Sequence, residues 1–295
     1  MQPLVSVVMP AYNAEKTIGP AIRSILGQTY QNFELIIVDD ASKDRTVDIV
    51  KSFSDPRIVL LRNKKNLKAG PSFNIAIENA RGEYIASNDA DDISMPNRLE
   101  KQVNFLIMYP EIDVVGSNAY VIDNAGNILG IYGKGKKTHY ELTKNINRGI
   151  GILFSTIMTK KEWFNKYKFR NYPRSAETDL FLRSYKYSKF YNLPDILYAW
   201  REPGKESNRK MMIKKMILNS LSQLDMRFRN WKEYGLPINA VLSYPLIVAR
   251  KWAYWTVCII FRKSPFARLY KEVYKDKQYY SDQEWIFNCI SLGKQ

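Results

Sequence analysis

An α/β fold with a mostly parallel sheet, flanking helices and a basic helical C-terminal region is what this sequence predicts, on three observations. Between residues 4 and 122, short β-branched runs alternate with amphipathic helical stretches, the pattern of parallel strands joined by crossover helices. Polar clusters stand at the ends of three of the first four strand runs, where open sheets of this kind bind ligands. Beyond about residue 206 the text turns helical, aromatic and rich in Lys and Arg.

The elements follow in order. Val5–Met9, Phe33–Val38, Ile58–Leu61 and Tyr84–Ser87 read as strands, with helices near 14–28, 44–53, 71–81 and 95–108 between them. Asp113–Val121 and Asn127–Ile131 read as a hairpin turning at Asp123-Asn124-Ala125-Gly126. A strand at Ile152–Thr159, helices near 160–166 and 178–188, and a strand around Phe190–Trp200 come next. After a polar loop at 201–208, helix continues to about residue 262.

A chain of 295 residues with 45% hydrophobic and 13% aromatic content can bury a substantial core, which excludes a disordered chain. Cys258 and Cys289 have no metal-spaced partners and read as buried, reduced thiols. The N-terminus has no positive flank and only a short apolar run, so it reads as a first strand rather than a signal peptide; both readings favour the cytoplasm. The net charge of +16 is uneven: residues 1–130 hold 13 basic against 16 acidic residues, and the rest 32 against 13. That imbalance predicts a polyanionic partner for the C-terminal part, nucleic acid or an anionic membrane surface.

The most informative stretch is Asn88-Asp89-Ala90-Asp91-Asp92, three carboxylates in four residues at a strand end. Crowded carboxylates repel unless a cation lies between them, which points to Mg²⁺ or Mn²⁺ and, with room for phosphate oxygens, to a metal-diphosphate site. The competing reading is an acidic turn capping a helix that starts near Ser94. Pro10-Ala11-Tyr12-Asn13 after the first strand and Asp39-Asp40 after the second favour the ligand site, because all three clusters fall at carboxyl ends of strands.

Ser6-Val7-Val8-Met9-Pro10-Ala11-Tyr12-Asn13-Ala14, Ser24-Ile25-Leu26-Gly27-Gln28-Thr29-Tyr30, Glu34-Leu35-Ile36-Ile37-Val38-Asp39-Asp40-Ala41-Ser42-Lys43-Asp44 and Asp89-Ala90-Asp91-Asp92 together resemble glycosyltransferase family 2. These are the inverting nucleotide-sugar transferases of the A-type (GT-A, Rossmann-like) fold. The resemblance spans roughly residues 4–205. It implies a catalytic domain over 1–205, with a nucleotide-sugar half to about 110 and an acceptor half from 111, and an appended region over 206–295. It further implies that Pro10, Ala11 and Tyr12 line the nucleobase pocket and that Asp39 bonds the base, most often uracil. A ring face plus a carboxylate acceptor for an imide N–H suits uracil. Asp89 would hold the ribose or a metal-bound water and Asp91 would ligate the cation, with Asp92 structural.

Departures from the family pattern are also legible. Lys68 and Phe73 stand where a glycine and an arginine are usual; Lys68 could meet the diphosphate as a point charge. In Ala176-Glu177-Thr178-Asp179 the resemblance puts Glu177 at the catalytic base, with Ala176 replacing its acidic neighbour and Asp179 in reserve. Such a base takes the acceptor's proton opposite the leaving diphosphate. The histidine usual after the next strand is missing from Trp200-Arg201-Glu202-Pro203-Gly204-Lys205, leaving Arg201 or Lys205 for the phosphates. His139, the single histidine, reads as a surface residue.

Residues 209–262 interleave Lys and Arg with large apolar side chains, and Arg250-Lys251 interrupts their longest apolar stretch. Interfacial helices on an anionic membrane fit better than a spanning helix, and packing on the catalytic domain or in a homodimer is the alternative. Neither Gln-x-x-Arg-Trp nor a long apolar span is present, so a processive synthase is not expected. The expectation is a non-processive transferase of the bacterial surface-glycan type, cytoplasmic and peripheral on the inner face of the cell membrane. Its partners would be a nucleotide-sugar, most often a UDP-sugar, and a glycan or lipid-linked oligosaccharide acceptor. A nucleic-acid-binding module would need a recognised basic-aromatic motif, and none is visible. A catalytically impaired sugar-nucleotide binder is the remaining alternative, suggested by Ala176, Phe73 and the missing histidine.

Overall fold

A computed structural model describes residues 2–133, 137–146, 149–172, 174–202, 209–260, 275 and 277–291. The first half is built as expected. Strand β1 (Val5–Ala11) lies between β2 (Phe33–Asp39) and β4 (Tyr84–Ser87), parallel to both, and β3 (Ile58–Arg62) extends the sheet beyond β2. Alternation along β1 explains the layers. Val5, Val7 and Met9 pack under α1 (Ile18–Leu26) and α4 (Arg98–Met108), whereas Val8 faces α3 (Ala69–Asn79) on the other side. A short α2 (Thr46–Lys51) joins β2 to β3.

Beyond β4 the sheet becomes mixed. Strand β8 (Met158–Lys160) runs antiparallel to β4 and to β6 (Val114–Ile122), and β9 (Phe190–Arg201) lies parallel to β6. A hairpin strand, β7 (Ile128–Tyr132), and a two-residue β5 (Ile93–Ser94) on β9 complete nine strands among the described residues. The hairpin turn is held by Asp123, whose carboxylate accepts N–H bonds from Ala125 and Asn127 at 2.9 Å. Its Gly126 has φ +92°, and a Cβ there would lie 2.5 Å from Ile290; only glycine fits.

Two expectations are corrected. Ile152–Thr159 is not a continuous strand: Phe154–Thr156 forms a 3₁₀ turn before β8. The carbonyls of Ser155 and Thr156 are taken by the side chains of Arg98 and Gln102, at 3.1 and 2.7 Å, instead of a neighbouring strand. The helix expected near Ser94 begins at Arg98 after Asn97, so the acidic turn caps no helix there; Ile93–Ser94 pairs with β9 instead.

Small helices α5 (His139–Thr143) and α6 (Lys161–Lys166) precede α7 (Ala176–Ser184). The C-terminal part then divides. Helices α8 (Arg209–Tyr234), α9 (Ile238–Leu242) and α10 (Tyr244–Ile260) follow, with Met226, Leu236 and Ala240 buried in the core shared by α3 and α7. Helix α11 (Lys277–Ser291) packs elsewhere, placing Ile286 and Cys289 among Ile93, Tyr120, Ile122 and Ile131. It is tied down by Trp285 Nε1 donating to the Ser94 carbonyl and Arg23 Nε donating to the Cys289 carbonyl. Cys289 is a free, buried thiol, as expected; the Cys258 side chain lies outside the described residues. Among the described residues, no helix is long and apolar enough to cross a membrane.

Candidate active site

The carboxyl ends of β1, β2 and β4 form one rim, and the loops there interlock. Asn13 N–H donates to Ser42 Oγ, Lys43 N–H to Asn13 Oδ1, and Ala14 N–H to Thr46 Oγ1, all within 2.7–2.9 Å. These bonds hold the segment after Tyr12 against the segment after Asp39. Asp39 is fully buried; its carboxylate accepts from Arg62 Nε and from Ser42 N–H at 3.4 and 3.3 Å. Asp40 is buried too. It accepts from Asn63 Nδ2 and from the backbone N–H groups of Leu67 and Lys68 at 2.8–2.9 Å, so it anchors the loop that carries Lys68.

Among the described residues, four that are not glycine have positive φ: Asn13, Ala41, Lys68 and Ser175. They stand after β1, after β2, before α3 and before α7, next to the candidate residues; strained backbone of this kind concentrates at functional sites. Lys68, at φ 77° and ψ 168°, occupies a region that glycine alone enters freely. Replacing it with glycine is expected to stabilise the fold by about 1–2 kcal/mol, the relieved strain less the added unfolded-state freedom. Urea unfolding measures that gain. If Lys68 meets the diphosphate, the same variant binds UDP more weakly.

The acidic turn lies across from these loops. Carboxylate oxygens of Asp89, Asp91 and Asp92 all lie within 4.8 Å of one another. Desolvation, with repulsion from Asp91 and Glu177, pushes Asp89 up to about 7, opposed by Arg98. Asp91 is raised by desolvation and drawn back by Arg201. Asp92 is buried, and its Oδ1 accepts the Arg201 backbone N–H at 2.8 Å, which pins the turn to the end of β9. Carboxylates that hold one another's protons on are a fitting seat for a hard divalent cation, which would replace those protons.

Beneath the turn sits a residue the sequence reading missed. Arg98 is fully buried. It donates to Asn88 Oδ1, Ser94 Oγ and the carbonyls of Ser87 and Ser155, at 2.6–3.1 Å. Its guanidinium also lies 4.9 Å from the Tyr198 ring centre. Burial lowers its pKa only to about 10, so it stays cationic and holds the strand end from which the acids project. An unpaired buried charge would cost several kcal/mol. The first position of α4 carries no motif that would reveal it; the signal lies in the acceptors that the fold gathers.

A cleft of about 730 Å³ opens over the turn. Pro10, Tyr12, Asp89, Asp91 and Arg201 line it, together with Lys16, Lys43 and Asn124, which the sequence reading did not single out. Ala11, Asp39, Lys68, Glu177 and Asp179 are not in its wall. Arg201 Nε donates to the Asp91 carbonyl, and Nη1 donates to the carbonyls of Asp123 and Asn124, at 2.8–3.0 Å. Much of its hydrogen bonding therefore braces the acidic turn against the hairpin. Lys205 lies outside the described residues. His139 is half-buried, stacked on Phe190.

Glu177 and Asp179 share the first turn of α7 but differ in their surroundings. Glu177 is half-buried, and burial raises its pKa against the pull of Arg174; it is close enough to repel Asp89. Asp179 is fully buried and accepts from Arg183 Nε at 2.8 Å and Asn230 Nδ2 at 2.9 Å. Its carboxylate is occupied in joining α7 to α8.

Comparison with known proteins agrees with this architecture. Residues 6–168 match the family model described as glycosyl transferase family 2. The putative glycosyltransferase EpsE of Bacillus subtilis is 37% identical over 216 residues, 70% of this chain and 76% of that protein. The UDP-Glc:alpha-D-GlcNAc-diphosphoundecaprenol beta-1,3-glucosyltransferase WfgD of Escherichia coli is 39% identical over 166 residues, 56% of this chain and 64% of that protein. Among solved structures, the mannosyltransferase PcManGT from Pyrobaculum calidifontis, in complex with GDP-Man and Mn²⁺, superposes with a TM-score of 0.60. That match covers 100% of this chain and 89% of that one at 16% identity, a likeness of fold.

Proposed function

This chain belongs to glycosyl transferase family 2 and is a sugar-transferring enzyme, and from that premise we propose that it moves one sugar from a UDP-sugar to a hydroxyl of a lipid-linked acceptor, with inversion at the anomeric carbon. The observation that carries the reading is a cleft lined by Tyr12, Asp89 and Asp91, with the Glu177 carboxylate outside its wall yet close enough to Asp89 to repel it. A UDP donor is supported by the sequestered carboxylate of Asp39 beside the Tyr12 loop, and by the donor in the name of WfgD. The acceptor class is likewise supported by that protein's diphosphoundecaprenol substrate.

In this reading Tyr12 and Pro10 bound the nucleobase while Asp39 accepts its imide N–H. Arg62, now on the Asp39 carboxylate, holds that side chain in place. Asp91, with Asp89, would hold Mn²⁺ or Mg²⁺. When bound there, a divalent cation offsets the charge that develops on the departing diphosphate. Arg201 keeps the acidic turn in register through its carbonyl contacts. Glu177 takes the proton of the attacking hydroxyl, and burial, which raises its pKa, makes it a stronger base than an ordinary carboxylate. Asp179, tied to Arg183 and Asn230, positions the helix turn that bears Glu177.

The test is a panel of UDP- and GDP-sugars, each with Mn²⁺, Mg²⁺ or chelator, presented with an undecaprenyl-diphosphate-linked sugar. One UDP-sugar is expected to yield a β-linked product only when metal is present. An α-linked product, or equal turnover in chelator, would sink the proposal.

A further inference from the structure

Helix α8 is built inside out. Its inward face carries Ser222, Met226 and Asn230, at steps of four residues, all buried. On the opposite side Ile217, Leu221, Leu224, Phe228 and Trp231 recur at steps of four, three, four and three, which aligns them in one strip. All five are exposed, Leu221 at 60% and Phe228 at 47%. Isolated exposed apolar residues need no explanation, but an aligned strip of five marks a binding surface.

The inward face grips the helix turn of the proposed base. Asn219 Oδ1 accepts from Ser175 Oγ at 2.6 Å, Gln223 Nε2 donates to Thr178 Oγ1 at 3.1 Å, and Asn230 Nδ2 donates to Asp179. Those three partners bracket Glu177, and Ser175 is the positive-φ residue that starts its helix.

We infer that the outer strip of α8 docks on an anionic lipid surface, seating Glu177 about one helix diameter, roughly 10 Å, above the headgroups. Charge selects lipid over a second copy of the chain. Residues 209–260 hold nine basic against two acidic residues, and of the nine Arg227 is buried against Tyr244; a segment of that net charge is repelled by its own copy and attracted by anionic headgroups. Lys232, with its Nζ 4.7 Å from the Phe228 ring centre, and exposed Arg229, paired with Glu233 at 3.6 Å, stand beside the strip, and basic residues flanking an apolar strip suit an interfacial helix. The inference rests on the proposed function only for what it gains: a lipid-linked hydroxyl would meet the base at the surface where it resides.

The experiment is co-sedimentation of the full chain with vesicles of phosphatidylcholine alone and of phosphatidylcholine with phosphatidylglycerol. Wild-type protein is expected to bind the anionic vesicles and to be released by salt. The triple variant Leu221→Ser, Leu224→Ser, Phe228→Ser should bind them at least about tenfold more weakly, given the apolar area lost, with UDP affinity unchanged. Wild-type protein that ignores both vesicles overturns the inference, as does a triple variant that binds as well as wild type. So does a sedimentation-velocity dimer that the triple variant splits into monomers, since the strip would then join two copies. Vesicle binding needs no sugar transfer, so a mistaken donor or acceptor would leave this result intact.

Discussion

Asp91→Ala is expected to abolish sugar transfer and, with it, the rise in melting temperature that Mn²⁺ gives the wild-type protein. Asp91 stands in the cleft wall, within 4.8 Å, oxygen to oxygen, of Asp89 and Asp92. Removing it takes one negative charge from a cluster that repels itself, so the metal-free variant should be no less stable than wild type. Its loss would therefore be one of function, a trade-off common at strained acidic sites. The sign of the pH effect follows from Asp89. Its folded pKa of about 7 lies above the ordinary 3.8, so the folded state keeps a proton that the unfolded chain releases, and stability falls as pH rises across that window. Scanning calorimetry in chelator should show that fall in wild type, and a smaller one in Asp91→Ala because one repelling neighbour is gone. Full turnover in the variant, or an undiminished Mn²⁺ shift, would remove Asp91 from the proposed cation site.

Glu177→Gln is expected to leave UDP binding near its wild-type value and to slow transfer about 10²–10⁴-fold, the scale of a lost general base. The amide keeps the shape of the side chain, so the α7 turn held by Asn219, Gln223 and Asn230 should stay in place. Isothermal titration and initial rates together separate the two effects. Burial raises the Glu177 pKa, so the wild-type rate should climb as pH rises through a value above the ordinary carboxylate range. That limb should be absent from the variant. Asp179→Asn makes the contrast: it removes the charge from a buried ion pair with Arg183, which keeps its bond to the Lys168 carbonyl, and should lower stability by about 3 kcal/mol. A Glu177→Gln enzyme with full activity would move the base elsewhere.

Much of the site was open to reading because it is written in consecutive residues. Asp89-Ala90-Asp91-Asp92, Pro10-Ala11-Tyr12 and Asp39-Asp40 each follow a strand run, and a parallel sheet sends such ends to one rim whatever the later chain does. Other parts were closed to it. Arg98 is one arginine among many in the text, and its importance comes from acceptors at 87, 88, 94 and 155, which no local pattern links. Residues 152–159 have the composition of a strand, yet Arg98 and Gln102 take the backbone carbonyls that would have paired.

Periodicity and the punctuation of strand ends thus settled the layer order, the helical tail and the location of the acids, because these depend on neighbours a few residues apart. Which carboxylate is free and which is bound depended on partners far along the chain. Glu177 and Asp179 are two residues apart and alike in sequence, and only the arrival of Arg183 and Asn230 at one of them tells them apart. The same holds for α8: its apolar residues could have faced the core, and packing turned them outward because its polar face had hydrogen bonds to make with α7.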